Sequence, residues 1–98
     1  MSLPKNDYTD QLFKSFLELK SIEECYAYFD DLCTIKEVRD MGQRLAVALQ
    51  LSRGESYQKT METTGVSSAT ICRVNRCLGY GSGGYGMVID RMKEEEAK

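Results

Sequence analysis

Tyr57–Leu78 reads YQKTMETTGVSSATICRVNRCL, a pattern that predicts two short helices joined by a glycine turn. Ser56 is a suitable N-cap for the first helix, because its hydroxyl can accept from an otherwise unpaired backbone N–H. Gly65 falls where that helix must stop, at a position that commonly requires left-handed backbone angles. Ser67 or Ser68 then caps a second helix that runs to the end of the stretch. This order of elements is typical of a helix-turn-helix.

The second predicted helix separates apolar from polar side chains. Ile71, Val74 and Leu78 recur at helical spacing and are expected to pack inward. Arginine and asparagine can make bidentate contacts with base edges, while serine and threonine can reach bases or phosphates. The polar faces therefore predict a surface that reads DNA. The residues left on those faces are Thr70, Cys72, Arg73, Asn75 and Arg76.

Length and composition favour one folded helical domain, residues 1–98. The chain has 98 residues, of which 42% are hydrophobic and one is proline, unlike a disordered chain. No apolar run comes near the roughly eighteen residues of a transmembrane helix. The opening residues, MSLPKNDYTD, lack the apolar segment of a secretory signal. We therefore expect a cytoplasmic protein with no membrane partner.

Cysteine spacing and the absence of histidine argue against a metal site and against catalysis. The cysteines fall in predicted helices with no C-x-x-C pair, a spacing that does not suit zinc. They are Cys25, Cys33, Cys72 and Cys77. Reduced thiols are the expected state, with a redox switch at Cys72 and Cys77 left open. Without histidine, a nucleophile elbow or a convincing carboxylate pair, we predict no enzyme, no metal and no certain cofactor.

Charge is distributed unevenly along the chain. The net charge of −2 is unusual for a DNA-binding protein, because neutralisation of phosphates dominates affinity. Residues 36–78 nevertheless contain seven basic and four acidic residues, for a net charge of +3. Residues 1–35 carry −4 and residues 79–98 carry −1. The basic part contains the predicted reading helix, and its modest charge favours two copies acting together.

Three helices are predicted before the helix-turn-helix. The first is expected at about 10–19, with Thr9 as its N-cap. The second follows a capping box, S-x-x-E, that begins at Ser21. The third, at about 35–53, follows a second capping box that begins at Thr34. Apolar residues recur at helical spacing in all three, and no strand-type alternation occurs.

A glycine-rich segment, GYGSGGYG at residues 79–86, formally contains G-x-G-x-x-G. A dinucleotide-binding turn requires a preceding strand within a βαβ unit. Here a predicted helix precedes the glycines and no strand is expected. We therefore predict a flexible turn that lets a last helix, at about 87–95, fold back.

The helices outside the helix-turn-helix carry more large apolar side chains than that motif needs. A monomeric core is one interpretation, and a symmetric dimer, which small chains often need for stability, is the other. A dimer also places two reading helices about 34 Å apart, one turn of DNA, to read a palindrome. The predicted segments are dimerisation helices (1–54), the helix-turn-helix (55–78), the glycine-rich turn (79–86) and a C-terminal helix (87–98).

Residues 33–85 contain a set of positions that follow one family pattern without a gap: Thr34, Gly42-x-Arg44, Arg53-Gly54-Glu55, Gln58, Gly65 and Ala69-Thr70-Ile71-x-Arg73. On these residues the chain resembles the tryptophan repressor family from Thr34 to Val74, and over nearly its whole length it resembles the small YerC/YecD-type branch of that family. The resemblance implies an all-α, tryptophan repressor-like domain with a helix-turn-helix, forming an intertwined homodimer that represses transcription. The outer helices would form the shared core, and the helix-turn-helix would project from it.

The resemblance also implies which residues face DNA, namely Lys59, Ser68, Ala69 and Cys72. Combined with the helix pattern, the predicted DNA-binding set is Lys59, Ser67, Ser68, Ala69, Cys72, Arg73, Asn75 and Arg76. Arg76 is expected at a base or phosphate, and Lys59 is expected at the DNA backbone.

A ligand site is implied as well. Thr34, Arg44 and Arg73 match positions around the tryptophan pocket, where the two arginines enclose the indole and help hold the carboxylate. Val74 stands where the family has glycine, and its β-branched side chain would take up indole space. Whether the protein uses a small-molecule corepressor is therefore left open, and tryptophan itself is disfavoured as that compound.

The predicted function is a cytoplasmic, sequence-specific DNA-binding transcriptional regulator, expected to be a repressor that binds palindromic sites as a homodimer. The alternative is a helical protein–protein adaptor that keeps the fold without reading DNA, which the acidic pI of about 5.1 favours. For Tyr57–Leu78 the corresponding alternative is an ordinary helical hairpin with a solvated polar face. RNA binding is a further alternative.

Overall fold

A computed structural model of the protein describes residues 3–97. Within this range the chain forms six helices and no strand, which confirms the predicted all-α class. The helices are α1 (Asp7–Phe16), α2 (Ile22–Leu32), α3 (Ile35–Ser52), α4 (Tyr57–Thr64), α5 (Ser68–Tyr80) and α6 (Gly84–Ala97). None of these helices combines the length and apolar character needed to span a bilayer.

The first helix begins and ends earlier than the sequence pattern predicted. Its N-cap is Asn6, whose Oδ1 accepts hydrogen bonds from the Thr9 backbone N–H at 3.0 Å and from the Thr9 hydroxyl at 3.2 Å. The prediction of Thr9 as N-cap was wrong because asparagine is an equally good cap and lies one turn earlier. The helix ends at Phe16 because the next backbone N–H groups, those of Glu18 and Leu19, donate only three residues back.

The chain divides into two compact units, an N-terminal unit of residues 1–35 and a C-terminal unit of residues 36–98. Aromatic side chains join α1 to α2 within the N-terminal unit. The rings of Phe16 and Phe29 stack with centroids 5.1 Å apart, and the Tyr28 hydroxyl donates to Ser15 Oγ at 2.7 Å. No residue of α1 or α2 is buried. The two helices therefore have an aromatic contact but no enclosed core.

The C-terminal unit contains a small enclosed core. Its fully buried apolar residues come from α3, α5 and α6, and they are Val47, Ala48, Ile71, Val74 and Ile89. Leu78 is partly buried against this cluster, so the predicted inward face of the second motif helix is confirmed. Thr60 of α4 is also buried, and its hydroxyl donates to the Ser56 carbonyl at 2.8 Å, which leaves it paired.

The turn between α4 and α5 has the caps that the sequence predicted. Ser56 accepts a hydrogen bond from the Lys59 N–H at 3.1 Å, and Ser67 accepts one from the Thr70 N–H at 3.2 Å. Gly65 ends α4 in the left-handed region with φ of 74°. Val66, which follows it, is partly buried against the core and fixes the turn to the rest of the unit.

The glycine-rich turn is shorter than predicted, since residues 81–83 alone separate α5 from α6. The prediction of a turn over 79–86 was wrong because the glycines at its two ends are helical. Gly81 ends α5, and its N–H donates to the Cys77 carbonyl at 2.9 Å. A Cβ at Gly81 would collide with that carbonyl, so a glycine is required there. Tyr85 is partly buried against the core, so the first turn of α6 packs on the rest of the unit.

We expect Gly65→Ala to lower the free energy of unfolding by about 1–2 kcal/mol, because an L side chain is unfavourable at positive φ. Nothing lies within 4 Å of the added Cβ, so the cost comes from the backbone alone. Urea unfolding followed by circular dichroism measures it. Gly65→Asn is the matched control and should lower the free energy of unfolding by less, since asparagine tolerates the left-handed region. Equal losses for both variants would show that the left-handed angle is not the cause.

Candidate nucleic-acid interface

The fifth helix, α5, is anchored on one side and open to solvent on the other. Ile71 and Val74 are at most 1% exposed and fix the inner face in the core. At about 100° per residue, the opposite direction on an α-helix is taken by Ala69, Arg76 and Tyr80. All three of those residues are exposed. We call this side of α5 the outer face.

All eight residues predicted to bind DNA are exposed: Lys59, Ser67, Ser68, Ala69, Cys72, Arg73, Asn75 and Arg76. Ser67 has a second role, because its hydroxyl caps α5 through the Thr70 N–H and also lies 3.2 Å from the Thr70 hydroxyl. It therefore sets where the helix begins. Lys59 projects from the first turn of α4, on the other helix of the motif.

The two arginines of α5 are free to bind an anion. Within residues 3–97, neither Arg73 nor Arg76 has a hydrogen-bond or ion-pair partner. Lys36 on α3, by contrast, donates to Asp40 at 2.7 Å. A guanidinium presents a planar fork of donors that matches both phosphate oxygens and the edge of guanine. The positive charge on the outer face is thus not neutralised by the protein's own acids.

The residues implied for a ligand pocket have different environments. Val74 is fully buried in the core, so its side chain presents no surface to a ligand. Arg44 is half-buried on α3, and Arg73 is exposed on α5. Thr34 is exposed and belongs to the N-terminal unit, whereas the other three belong to the C-terminal unit.

Asp40 influences the charge around Arg44. The hydrogen bond from Lys36 is the main reason that the pKa of Asp40 lies below its ordinary value of 3.8. The positive charges of Lys36, Arg44 and Arg39 act in the same direction. Asp40 is therefore ionised at neutral pH and offsets part of the positive charge on α3.

A groove beside the outer face was not predicted from the sequence. It has a volume of about 620 Å³, and we call it the α5 groove. Its lining residues are Leu51, Ser52, Tyr57, Cys72, Asn75, Arg76, Leu78, Gly79 and Tyr80. Tyr80 lies one turn beyond Arg76 and is 92% exposed. A prediction that extended α5 by two residues would have placed Tyr80 on the arginine face.

The described residues offer no metal site. No group of three or more cysteine, aspartate or glutamate side chains in residues 3–97 could hold a metal ion. The cysteines are free thiols, with Cys25, Cys72 and Cys77 exposed and Cys33 half-buried. The polar chemistry of the surface around α5 is therefore that of arginine, asparagine, hydroxyl and thiol groups.

Comparison with known proteins agrees with this arrangement. The model of the family described as Trp repressor protein matches residues 7–93. The chain belongs to the Trp repressor family. This match includes every described helix except the last residues of α6, so the family relationship covers both units. The family resemblance predicted from residues 33–85 is confirmed.

Relatives within the Trp repressor family support the assignment. Uncharacterized protein YerC of Bacillus subtilis (strain 168) is 55% identical over 89 residues, which are 91% of this chain and 86% of YerC. A crystal structure from Staphylococcus aureus has a TM-score of 0.88 at 43% identity and covers 91% of this chain and 89% of its own. The crystal structure of a TrpR-like protein from Eubacterium eligens ATCC 27750 has a TM-score of 0.88 at 44% identity. The match covers 91% of this chain and 92% of that protein's chain.

Membership of the Trp repressor family indicates a DNA-binding regulator and not an enzyme. The YerC relationship also confirms the predicted branch of the family.

Proposed function

We propose that this protein is a cytoplasmic, sequence-specific transcriptional repressor that binds palindromic DNA as a homodimer. The observation that carries the proposal is the outer face of α5, where Arg73 and Arg76 have no partner within residues 3–97. The helix beneath them is held in the core by Ile71 and Val74. A rigid helix with free arginines and a preceding short helix is the arrangement that reads the major groove.

The charge of the C-terminal unit is consistent with this role. Residues 36–98 contain ten basic and eight acidic residues, for a net charge of +2, while residues 1–35 carry −4. The excess of positive charge therefore belongs to the unit that contains α4 and α5. A phosphate backbone attracts that unit, and base contacts from α5 then supply the sequence preference.

Homodimerisation is supported by the N-terminal unit. Several of its large apolar side chains are exposed within one chain, including Tyr8 at 85%, Tyr26 at 77% and Ile22 at 72%. Ile22 and Tyr26 lie four residues apart on α2 and therefore share one face of it. Large exposed apolar patches on soluble proteins mark interaction sites. We propose that α1 and α2 cover these side chains against a second copy, which doubles the number of reading helices.

Sedimentation equilibrium tests the dimer. We expect a mass twice that of the 11.1 kDa chain, and we expect Tyr26→Glu to shift the equilibrium towards monomer because it places a charge on the apolar face. Lys20→Glu, an exposed change in the same unit, is the control and should leave the mass unchanged. A single-chain mass for the unaltered protein would contradict the dimer.

Arg76→Ala tests the reading face. The variant should weaken binding to a selected duplex by about 1–3 kcal/mol, the usual loss when a base or phosphate contact is removed. Fluorescence anisotropy of a labelled duplex measures the change. Lys93→Ala, which removes one positive charge from α6, is the control and should change affinity much less. Unchanged affinity for Arg76→Ala would show that Arg76 does not touch DNA.

The overall charge of −2 favours the second candidate function, a helical protein–protein adaptor. Sedimentation velocity with and without random duplex at low salt separates the two functions. A DNA-binding protein should co-sediment with the duplex, because non-specific binding is electrostatic. An adaptor should sediment as it does alone.

Tryptophan is not part of the proposal. Val74 occupies the core position at which the family has glycine, and it is 1% exposed. Val74 packs in the same buried cluster as Ile71 and Val47. An indole ring placed at Val74 would therefore displace those neighbouring side chains. If a small molecule acts together with this protein, we expect it to be a different compound.

A further inference from the structure

The α5 groove is an open cleft on the surface of the C-terminal unit. Its volume of about 620 Å³ is large enough to admit a small molecule, since binding sites for such molecules usually measure roughly 300–1,000 Å³. It is formed where the end of α3, the start of α4 and the last turns of α5 come together. All three segments belong to the C-terminal unit.

The polar side chains in the groove are mostly hydrogen-bond donors without partners. Within residues 3–97, the side chains of Tyr57, Asn75, Arg76 and Tyr80 make no hydrogen bond or ion pair. The Ser52 hydroxyl is already used, since it donates to the Leu49 carbonyl at 2.8 Å. No aspartate or glutamate lines the groove. A cationic group with neighbouring neutral donors and no carboxylate favours an anionic ligand.

The groove also has an apolar part. Leu51 and Leu78 are both partly buried against the core and line the groove from below. Tyr57 and Tyr80 contribute aromatic rings at the surface. Aromatic rings and leucine side chains favour a flat apolar body, and the arginine can stack on such a body as well as pair with its charge.

We propose that the α5 groove binds a small organic anion, an aromatic carboxylate or phosphate, whose charged group lies at Arg76 and whose ring lies against Leu51 and Leu78. The lining of this site includes none of Thr34, Arg44, Arg73 and Val74. It therefore does not depend on the residues that the family places around tryptophan.

Binding in the groove has a consequence that rests on the proposed function. Cys72, Asn75 and Arg76 line the groove and also belong to the predicted DNA-binding set. A ligand that occupies Arg76 removes that cation from the DNA surface and covers its neighbours. The ligand therefore competes with DNA, and it acts as an inducer that releases the protein from its site.

Amide chemical shifts of the ¹⁵N-labelled full chain test the groove without DNA, with phenyl phosphate as the probe. We expect saturable shifts at Tyr57, Asn75 and Gly79, and about tenfold weaker binding for Arg76→Gln, because a charge-assisted contact is lost. Arg73→Gln is the matched control and should bind normally. Each variant's own spectrum reports whether it is folded.

Three outcomes would contradict the proposed ligand site. Equal weakening by Arg76→Gln and Arg73→Gln would mean general attraction of anions to the basic unit. Equal affinity for inorganic phosphate would mean that no aromatic subsite exists. Shifts confined to residues 7–32 would place the probe on the apolar surface of the N-terminal unit instead.

Competition with a selected duplex tests the inducer role separately. Phenyl phosphate at saturation should lower DNA affinity of the unaltered protein, and the effect should be lost in Tyr57→Ala, which lies outside the predicted DNA-binding set. If the probe binds but no duplex is ever bound, the proposed DNA-binding function is contradicted, while the proposed ligand site in the groove is supported. If DNA binds and the probe leaves its affinity unchanged while occupying the groove, the inducer role is overturned.

Discussion

Ile71→Ala should lower the free energy of unfolding by about 2–5 kcal/mol, because it removes a fully enclosed side chain and leaves a cavity. Ile71 is 0% exposed and packs with Val47, Val74 and Ile89. The enclosed core of the described chain is small, so few neighbours can move into the space. The loss therefore represents a large share of the roughly 5–15 kcal/mol that stabilises a typical domain.

Urea unfolding at one fixed protein concentration measures this loss, since an oligomer's stability depends on concentration. Cys72→Ala is the control because it is the next residue on α5 and its side chain is exposed. It should change the free energy of unfolding by less than about 0.5 kcal/mol. A loss below about 1 kcal/mol for Ile71→Ala would contradict the enclosed core. Affinity for DNA should fall with stability in this variant, because the core holds α5 in place.

The affinity for a selected duplex should fall about a thousandfold when salt rises from about 50 mM to about 200 mM. The estimate takes three cations per chain, Lys59, Arg73 and Arg76, and two chains on one site. Six phosphate contacts release bound counterions from DNA, and added salt opposes that release.

Anisotropy titrations at several salt concentrations give the slope of log affinity against log salt. If Arg76 contacts phosphate, Arg76→Ala should reduce the magnitude of that slope by about 2, one contact from each protomer. If Arg76 instead contacts a base, affinity should fall and sequence preference should relax, with little change in slope. A flat salt response for the unaltered protein would contradict a surface that neutralises phosphate.

Local capping chemistry was predictable from the sequence because it depends on a few neighbouring residues. Ser21 accepts from the Glu24 N–H at 3.1 Å, and the Glu24 carboxylate accepts from the Lys20 N–H at 2.9 Å, as in a capping box. Ser56 likewise caps the start of α4, and Gly65 ends that helix, as expected. The cap of α1 was predicted wrongly, because Thr9 was chosen and Asn6, a suitable cap three residues earlier, begins the helix.

Features that depend on packing between distant segments were not predictable in the same way. The glycines at 79 and 84 are helical because α5 and α6 are held by the core, which outweighs their low intrinsic helix propensity. The α5 groove joins Ser52, Tyr57 and Tyr80, which no sequence spacing connects. The exposed positions of α5 were predictable because they follow from the inward spacing of Ile71 and Val74.

Selection of bound duplexes from a random library tests the central claim most directly. The proposed function predicts enrichment of a two-fold symmetric sequence whose half-sites lie about one DNA turn apart. The same selection with Arg76→Ala should yield a weaker consensus or none, while Lys93→Ala should return the original sequence. Recovery of unenriched random duplexes by the folded, unaltered protein at low salt would contradict a sequence-specific DNA-binding regulator.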